Sequence, residues 1–240
     1  MTDAPPVLSL VILCYRSEEF AAEFTAQALE MLQGYGIQDF ELILVANYLE
    51  GSEDRTPGVV RELATTDPRI RCLAEPKKGM MGWDLRAGLR NARGRYIAIT
   101  DGDGQVPIDD VGRLFELIVT GKFDLVKTYR TTRADGWKRI LLSTGYNALF
   151  HTLFPSIRAH DINAKPKIIS RMAYEKMDLS SDGWFIDAEI MIETLYHSMK
   201  IGEIPTEFRR LDRRSSFVSV GAVFEFLTNL LRFRLKKLFR

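Results

Sequence analysis

Short apolar runs alternate with segments of helical spacing through the first half of the chain, and this alternation predicts an α/β fold with a mostly parallel sheet covered by helices on both faces. Two further observations agree. The 240 residues are 46% hydrophobic and 27% charged, which suffices for one large core. One apolar run, Tyr96 to Thr100, stops at a pair of carboxylates, Asp101 and Asp103, and the C-terminal ends of strands are where open α/β sheets bind ligands.

Val7 to Cys14 is a largely apolar strand, and Glu18 to Leu32 carries Phe20, Phe24, Ala28 and Met31 at helical spacing. Phe40 to Ala46 is a second strand. Thr56-Pro57 reads as an N-cap with proline at the first helical position, opening a helix through Leu63. Ile70 to Leu73 is a short strand, Gly79 to Ala92 a helix, Tyr96 to Thr100 the strand that feeds the carboxylates, Ile108 to Val119 a helix, and Asp124 to Thr128 the start of a further strand. The second half is less regular: Trp137 to Phe154 is helical, Asp161 to Ile169 extended, Asp187 to Met199 helical, Ile201 to Phe208 a strand and Val220 to Arg240 a last helix. The organisation expected is one domain over residues 1–216 and an amphipathic, basic tail helix over 217–240.

A net charge of +1 gives no global reason to expect nucleic acid as a partner. The charge is uneven: Arg209 to Arg240 holds nine Lys/Arg against two Asp/Glu, a net of +7 that leaves −6 for the rest. Cys14 and Cys72 lie in separate strand-like runs and read as reduced, buried thiols, which suits a reducing cytoplasm. The N-terminus lacks the pattern of a signal peptide, and no apolar run reaches the ~18 residues of a membrane span.

Two aspartates beside glycines also favour an ordinary turn. The residues after them add chemistry: Gln105 is a third oxygen donor, and Pro107 opens a helix whose first turn carries Asp109 and Asp110, suited to the helix dipole. Hard divalent cations take such oxygen ligands, and Mg²⁺ is often held by one or two carboxylates plus substrate phosphates.

Asp101, Asp103, Gln105 and Pro107 stand at the spacings of an Asp-Ala-Asp-Leu-Gln-His-Pro motif. The chain thereby resembles the family 2 inverting glycosyltransferases of GT-A fold, closest to the dolichyl- or polyprenyl-phosphate mannosyl- and glucosyltransferase branch. The resemblance implies a Rossmann-like sheet, a GDP- or UDP-linked sugar as donor, Mg²⁺ or Mn²⁺ as cofactor and a lipid phosphate as acceptor. It places Asp101, Gly102 and Asp103 at the donor diphosphate, with Asp101, Asp103 and Gln105 toward the metal. Near the nucleotide, Leu13, Tyr15 and Glu18 stand where the family has a Pro-x-Tyr-Asn-Glu turn, with only the tyrosine kept. Asn47 falls in the region of a family Val-Asp-Asp-Gly-Ser segment, as an amide in place of a carboxylate. Lys77-Lys78-Gly79 with Gly82 matches a basic, glycine-rich loop before a helix; Lys78 is the expected phosphate contact and Lys77 reads as a solvated turn residue.

On the acceptor side, Arg130 follows the fifth strand, and Arg139, Ser143 and Asn147 share a helix face. In this branch similar Arg and Ser residues bind the acceptor phosphate, for which a planar guanidinium is suited. Asp161 opens Asp-Ile-Asn-Ala-Lys-Pro-Lys, where the family has Asp-x-x-Ser-Gly-Phe-Arg/Lys, so Lys165 and Pro166 replace Gly-Phe. Ser215-Ser216 stands where relatives have a Ser-Lys pair, and Ser216 is an acceptor-side candidate; the segment reads equally as a basic linker.

The expected catalytic set is Asp103 through its metal, Arg130 as charge stabiliser, and Asp187, or Glu189, as general base should the acceptor be a hydroxyl. A phosphate acceptor, already anionic, needs no base. In the tail, Val220, Phe224, Leu227, Leu231, Leu235 and Leu238 form an apolar side, and five basic residues cluster in Arg232 to Arg240. That pattern suits peripheral attachment to a cytoplasmic membrane surface, and a second copy or a membrane partner is compatible with it. Transfer to a glycolipid or polysaccharide hydroxyl, a catalytically weak nucleotide-sugar-binding subunit and a receiver-like phosphoacceptor domain are the alternatives.

Overall fold

Seven strands build the central sheet: β1 (Leu8–Leu13), β2 (Phe40–Val45), β3 (Ile70–Leu73), β4 (Tyr96–Asp101), β5 (Leu125–Arg133), β6 (Lys167–Ser170) and β7 (Ile201–Phe208). The helices are α1 (Phe20–Gly34), α2 (Thr56–Thr66), α3 (Met81–Asn91), α4 (Asp109–Thr120), α5 (Trp137–Leu153), the single turn α6 (Arg171–Tyr174), α7 (Ile186–Tyr196) and α8 (Val220–Leu238). The structure is a computed structural model and describes residues 4–133, 137–209 and 220–238, without the side chains of 132–143, 220–224 and 236–238.

The strand order is β3-β2-β1-β4-β6-β5-β7. β3, β2, β1 and β4 are mutually parallel, β6 runs antiparallel between β4 and β5, and β7 is parallel to β5. β1 and β2 are buried at every position, which is why they read as continuous apolar runs instead of alternating ones. Their side chains still divide between two cores with a period of two. Val11, Leu13, Ile43 and Val45 pack with Leu85 and Leu89 of α3 and Ile190 of α7. Leu10, Ile12, Leu42 and Leu44 face Phe24 and Ala28 of α1, Val60 of α2 and Leu114 of α4.

Several boundaries differ from expectation. α1 starts at Phe20 rather than Glu18, because Arg16 and Glu18 sit at φ +53° and +49° in the turn that leaves β1. α2 is opened by the carboxylate of Asp54, which accepts from the Thr56 backbone N–H at 3.0 Å, so Thr56 is the first helical residue and no cap. β5 runs on to Arg133 because β7 pairs along its length, and only the end of the extended 161–169 segment, from Lys167, joins the sheet. Cys14 is buried, whereas Cys72 is half-buried, its thiol pKa raised by burial.

At the end of the sheet away from the carboxylates, buried Glu41 accepts from Ser9 Oγ (2.7 Å), the Arg93 backbone N–H (2.7 Å) and Arg71 (3.1 Å). Burial opposes its ionisation, but these donors prevail and hold its pKa below the usual range. A depressed carboxylate pKa contributes stability that is present above the unfolded value and lost as pH falls through the folded one. Glu41→Ala should therefore cost about 3 kcal/mol near neutrality, and the gap in urea midpoints between the two proteins should narrow as pH drops below about 4.

Candidate active site

The strand order reverses between β1 and β4, since β1 leads on to β2 at one side and β4 returns at the other. The crevice at such a switch point, beyond the C-terminal strand ends, is where a doubly wound sheet accepts a ligand. Leu13 and Asp101 are register partners there, and both strands deliver their loops to it. The Asp101-Gly102-Asp103 turn is bound to the end of β1: Gly102 N–H donates to the Leu13 carbonyl (2.9 Å) and Ser17 Oγ donates to the Gly102 carbonyl (3.1 Å). A Cβ on Gly102 would lie 2.9 Å from Ile12 Cγ2 and 3.1 Å from the Leu13 oxygen, so this close approach requires glycine. Asp103 Oδ1 accepts from the Gln105 N–H (3.0 Å), and the Gln105 carbonyl accepts from the Arg209 N–H (2.8 Å), which ties the turn to the end of β7.

Asp101, Asp103, Gln105, Lys165 and Phe208 line one small cleft. Lys165 is nearly buried between two carboxylates, 3.0 Å from Asp187 Oδ2 and 3.3 Å from Asp101 Oδ2. Burial opposes its charge, but Asp101 and Asp187 outweigh it and raise its pKa. Behind it, Lys167 donates to Asp187 Oδ1 (2.6 Å) and the Ala164 carbonyl (2.7 Å); burial pushes its pKa down to about 8 against the pull of Asp187. Asp187 is 1% exposed, and its pKa is held low by the two lysines against the cost of burial.

That placement bears on the expectation of a general base for a hydroxyl acceptor. A base must reach the acceptor proton and titrate near the working pH. Asp187 lies beneath Lys165 with both oxygens in ion pairs. Glu189 is buried too, and its oxygens accept from Ser180 N (2.9 Å), Ser180 Oγ (2.8 Å) and Ser181 N (2.9 Å), which fixes the loop before α7.

The loop 180–184 bears on a second expectation. Three backbone N–H groups at the N-terminus of α3 are taken by this loop: Met80 N–H and Trp83 N–H donate to the Asp182 carbonyl (2.8 and 3.1 Å), and Gly82 N–H donates to that of Gly183 (2.9 Å). Gly82 serves this packing, since a Cβ there would fall 2.4 Å from the Ser181 oxygen. Lys78 is exposed on the same loop. Lys77, expected in solvent, is the buried one: it pairs with Asp84 and lies 4.2 Å from the centre of the Tyr15 ring.

Asn47 likewise turns inward. Its Nδ2 donates to Asp84 (2.9 Å) and its Oδ1 accepts from the Glu75 N–H (2.9 Å), so its amide is engaged within the fold. The Asp84 pKa is raised by burial, against Lys77 and Asn47. Tyr15, Lys77 and Asp84 thus form a second polar cluster at the end of β1, held from behind by Asn47. Leu13 is buried beneath the turn, and Glu18 points toward Arg55 at 3.4 Å, away from this cluster. The sequence signal for Asp84 was a carboxylate in a helix's first turn, which the dipole alone would explain.

Arg130 makes a fork to Asp161 (2.5 and 2.9 Å), with its guanidinium 5.2 Å from the Phe208 ring centre. Asn147 of α5 accepts from the Ile162 N–H (3.3 Å), so this helix face meets the Asp161 segment. Arg139 and Ser143 are helical in backbone, but their side chains lie outside the described residues, as does Ser216 altogether. Among the described residues no three His, Cys, Asp or Glu are grouped as a metal cage. The hard oxygens of Asp101, Asp103 and Gln105, on one small cleft, fit a cation that draws its remaining ligands from a substrate's phosphates.

A mostly parallel sheet with a carboxylate pair at its switch point is an arrangement suited to a phosphate-bearing ligand. The sequence profile of Glycosyl transferase family 2 matches residues 9–185, and the chain belongs to that family. It is 27% identical over 245 residues to a dolichyl-phosphate beta-glucosyltransferase of Trichomonas vaginalis, covering 94% of this chain and 72% of that protein. A dolichol-phosphate mannosyltransferase of Pyrococcus furiosus is 25% identical, covering 94% and 63%. In fold, it superposes on glucosyl-3-phosphoglycerate synthase from Mycobacterium tuberculosis, crystallised with Mn²⁺, uridine diphosphate and phosphoglyceric acid, with a TM-score of 0.72 at 17% identity, covering 95% of this chain and 78% of that one.

Removing one member of a buried ion pair strands the other. Lys77→Met should destabilise the fold by about 3–5 kcal/mol in urea denaturation, and Lys77→Met combined with Asp84→Asn should recover most of the loss.

Proposed function

We propose that this enzyme transfers a hexose, with inversion, from a GDP- or UDP-linked sugar to the phosphate of a polyprenyl-type lipid. One observation carries the choice of acceptor. Asp187 and Glu189, the carboxylates a hydroxyl acceptor would call on, are both buried and fully engaged. A phosphate monoester, with a second pKa of about 6, arrives already ionised and needs no base. The likeness to dolichyl-phosphate glycosyltransferases supports the same acceptor.

In this reading Asp103, Asp101 and Gln105 hold Mg²⁺ or Mn²⁺, which supplies Lewis-acid stabilisation of the departing diphosphate. Tyr15, with Lys77 and Asp84 beside it, forms the floor for the base, and Lys78 adds positive charge at the rim. Arg130, kept rigid by Asp161, offers a planar cation on the acceptor side, with Arg139, Ser143 and Ser216 completing that subsite. The acceptor oxygen attacks the anomeric carbon from the face opposite the leaving diphosphate.

Attachment to the membrane belongs to the same proposal. No helix among the described residues is long and apolar enough to cross a bilayer. α8 packs Leu230 and Phe233 into the core, while Leu227, Leu231 and Leu235 stand 41%, 57% and 55% exposed at four-residue spacing, with exposed Arg232 beside them. Such a leucine stripe with flanking cations suits an anionic bilayer surface.

Nucleotide release from GDP- and UDP-sugars should require both divalent metal and polyprenyl phosphate. Stimulation by a glycolipid hydroxyl and not by lipid phosphate would reject the acceptor, and inert donors throughout would leave a binding subunit. Asp103→Ala should lower kcat by on the order of 10²–10³-fold, and kcat/KM should fall below about pH 6 as the acceptor phosphate takes up a proton. Changing Leu227, Leu231 and Leu235 together to Ser should abolish co-sedimentation with anionic phospholipid vesicles while the circular dichroism spectrum is retained.

A further inference from the structure

Three lysines are buried on β5, β6 and the residue pair before β6, and two of them have partners that do not line the cleft. Lys127 donates to Glu203 (2.9 Å) and the Thr128 carbonyl (2.7 Å), and Lys167 to Asp187 and the Ala164 carbonyl. Lys165 differs. Its ammonium bridges a fully buried carboxylate, Asp187, and Asp101, whose side chain is 43% exposed and lines the cleft. The first contact is fixed by burial. The second is exchangeable, because Asp101 can turn to solvent or to another cation at little desolvation cost. The local balance of charge agrees: Lys165 and Lys167 carry two positive charges, Asp187 and Asp101 two negative. Once Asp101 is drawn to a second cation, Lys165, which also touches Met81 Sδ at 3.3 Å, becomes a buried ammonium with one anionic neighbour fewer, beside the cleft it lines.

We infer that Lys165 is a diphosphate-binding residue of the donor subsite, a resident cation that Asp101 holds in reserve and releases to the phosphate. The inference rests on the reading of this cleft as the diphosphate site and extends it to a residue where the family pattern has glycine. An ammonium supplied by the chain lets the cleft hold a diphosphate before any metal arrives. It also makes Asp101 a competitor of the phosphate for that ammonium, and makes the ammonium a competitor of metal for Asp101.

These competitions fix the signs of the effects, and calorimetry with inorganic pyrophosphate and with UDP or GDP in EDTA reads them without turnover. The full chain should bind pyrophosphate in EDTA, and Lys165→Met should weaken that binding at least tenfold. Asp101→Asn leaves the buried Asp187 pair intact and should do the opposite, tightening metal-free binding threefold or more. Titration of Mn²⁺ alone, followed by the paramagnetic resonance of the free ion, should show Lys165→Met binding at least as tightly as wild type and Asp101→Asn more weakly. Should Lys165→Met fail to fold, Asp101→Asn decides the matter alone. Unchanged or weaker pyrophosphate binding by Asp101→Asn overturns the inference, as does loss of Mn²⁺ affinity in a folded Lys165→Met, which would make the lysine a support for Asp101. Failure here with lipid-phosphate-dependent turnover intact removes only this role; success without turnover keeps the diphosphate site and rejects the proposed acceptor.

Discussion

The neutralisation of Asp187 is the interaction on which the cleft depends. A carboxylate with 1% exposure at the start of α7 is tolerable only if cations come to it, and they come from β6 and the residues just before it. Lys167 enters the sheet as a strand residue opposite Ile99 of β4, and Lys165, two residues earlier, emerges beside Asp101. The two Asp187 pairs therefore hold α7 against β6 and the residues just before it, through charges whose separation would leave one of them stranded in the interior, and Lys165 carries the same contact on to the carboxylate turn.

Rigidity spreads outward from that point by the same means. Glu189, two residues on from Asp187, fixes the 180–184 loop, and that loop satisfies the first N–H groups of α3. α3 in turn carries Asp84, which orders Lys77 and Asn47 beneath Tyr15. The polar clusters at the ends of β1 and β4 are thus joined through packed backbone and buried carboxylates, and preorganisation of this kind lets a site stabilise charge without rearranging first.

Where composition and geometry coincide, the sequence was readable. β1 and β2 are buried on both faces and so appear as unbroken apolar runs; Gly102 has no alternative beside Ile12 and Leu13. The carboxylate pair at the end of β4 was legible because a parallel sheet puts its ligand there. What stayed hidden was every pairing across the chain. Lys167 reads only as the basic end of the Asp161 segment until Asp187 is known to face it, and Gly79 and Gly82 read as a phosphate loop until the 180–184 segment is seen packed on them. Lys77 and Lys78 are neighbours of one type, and only the position of Asp84 separates the buried one from the exposed one.

The antiparallel seat of β6 has a consequence for how the molecule is made. β4 pairs with β1 on one side and with β6 on the other, and β5 reaches the rest of the sheet only through β6. On the ribosome, β1 to β4 can assemble as soon as they emerge, but β4 then stands as a bare sheet edge, its backbone donors and acceptors unpaired, while the whole of α4, β5 and α5 is synthesised. The strand that closes that edge carries Lys167, so the edge is covered before Asp187 of α7, which neutralises that lysine, has been made.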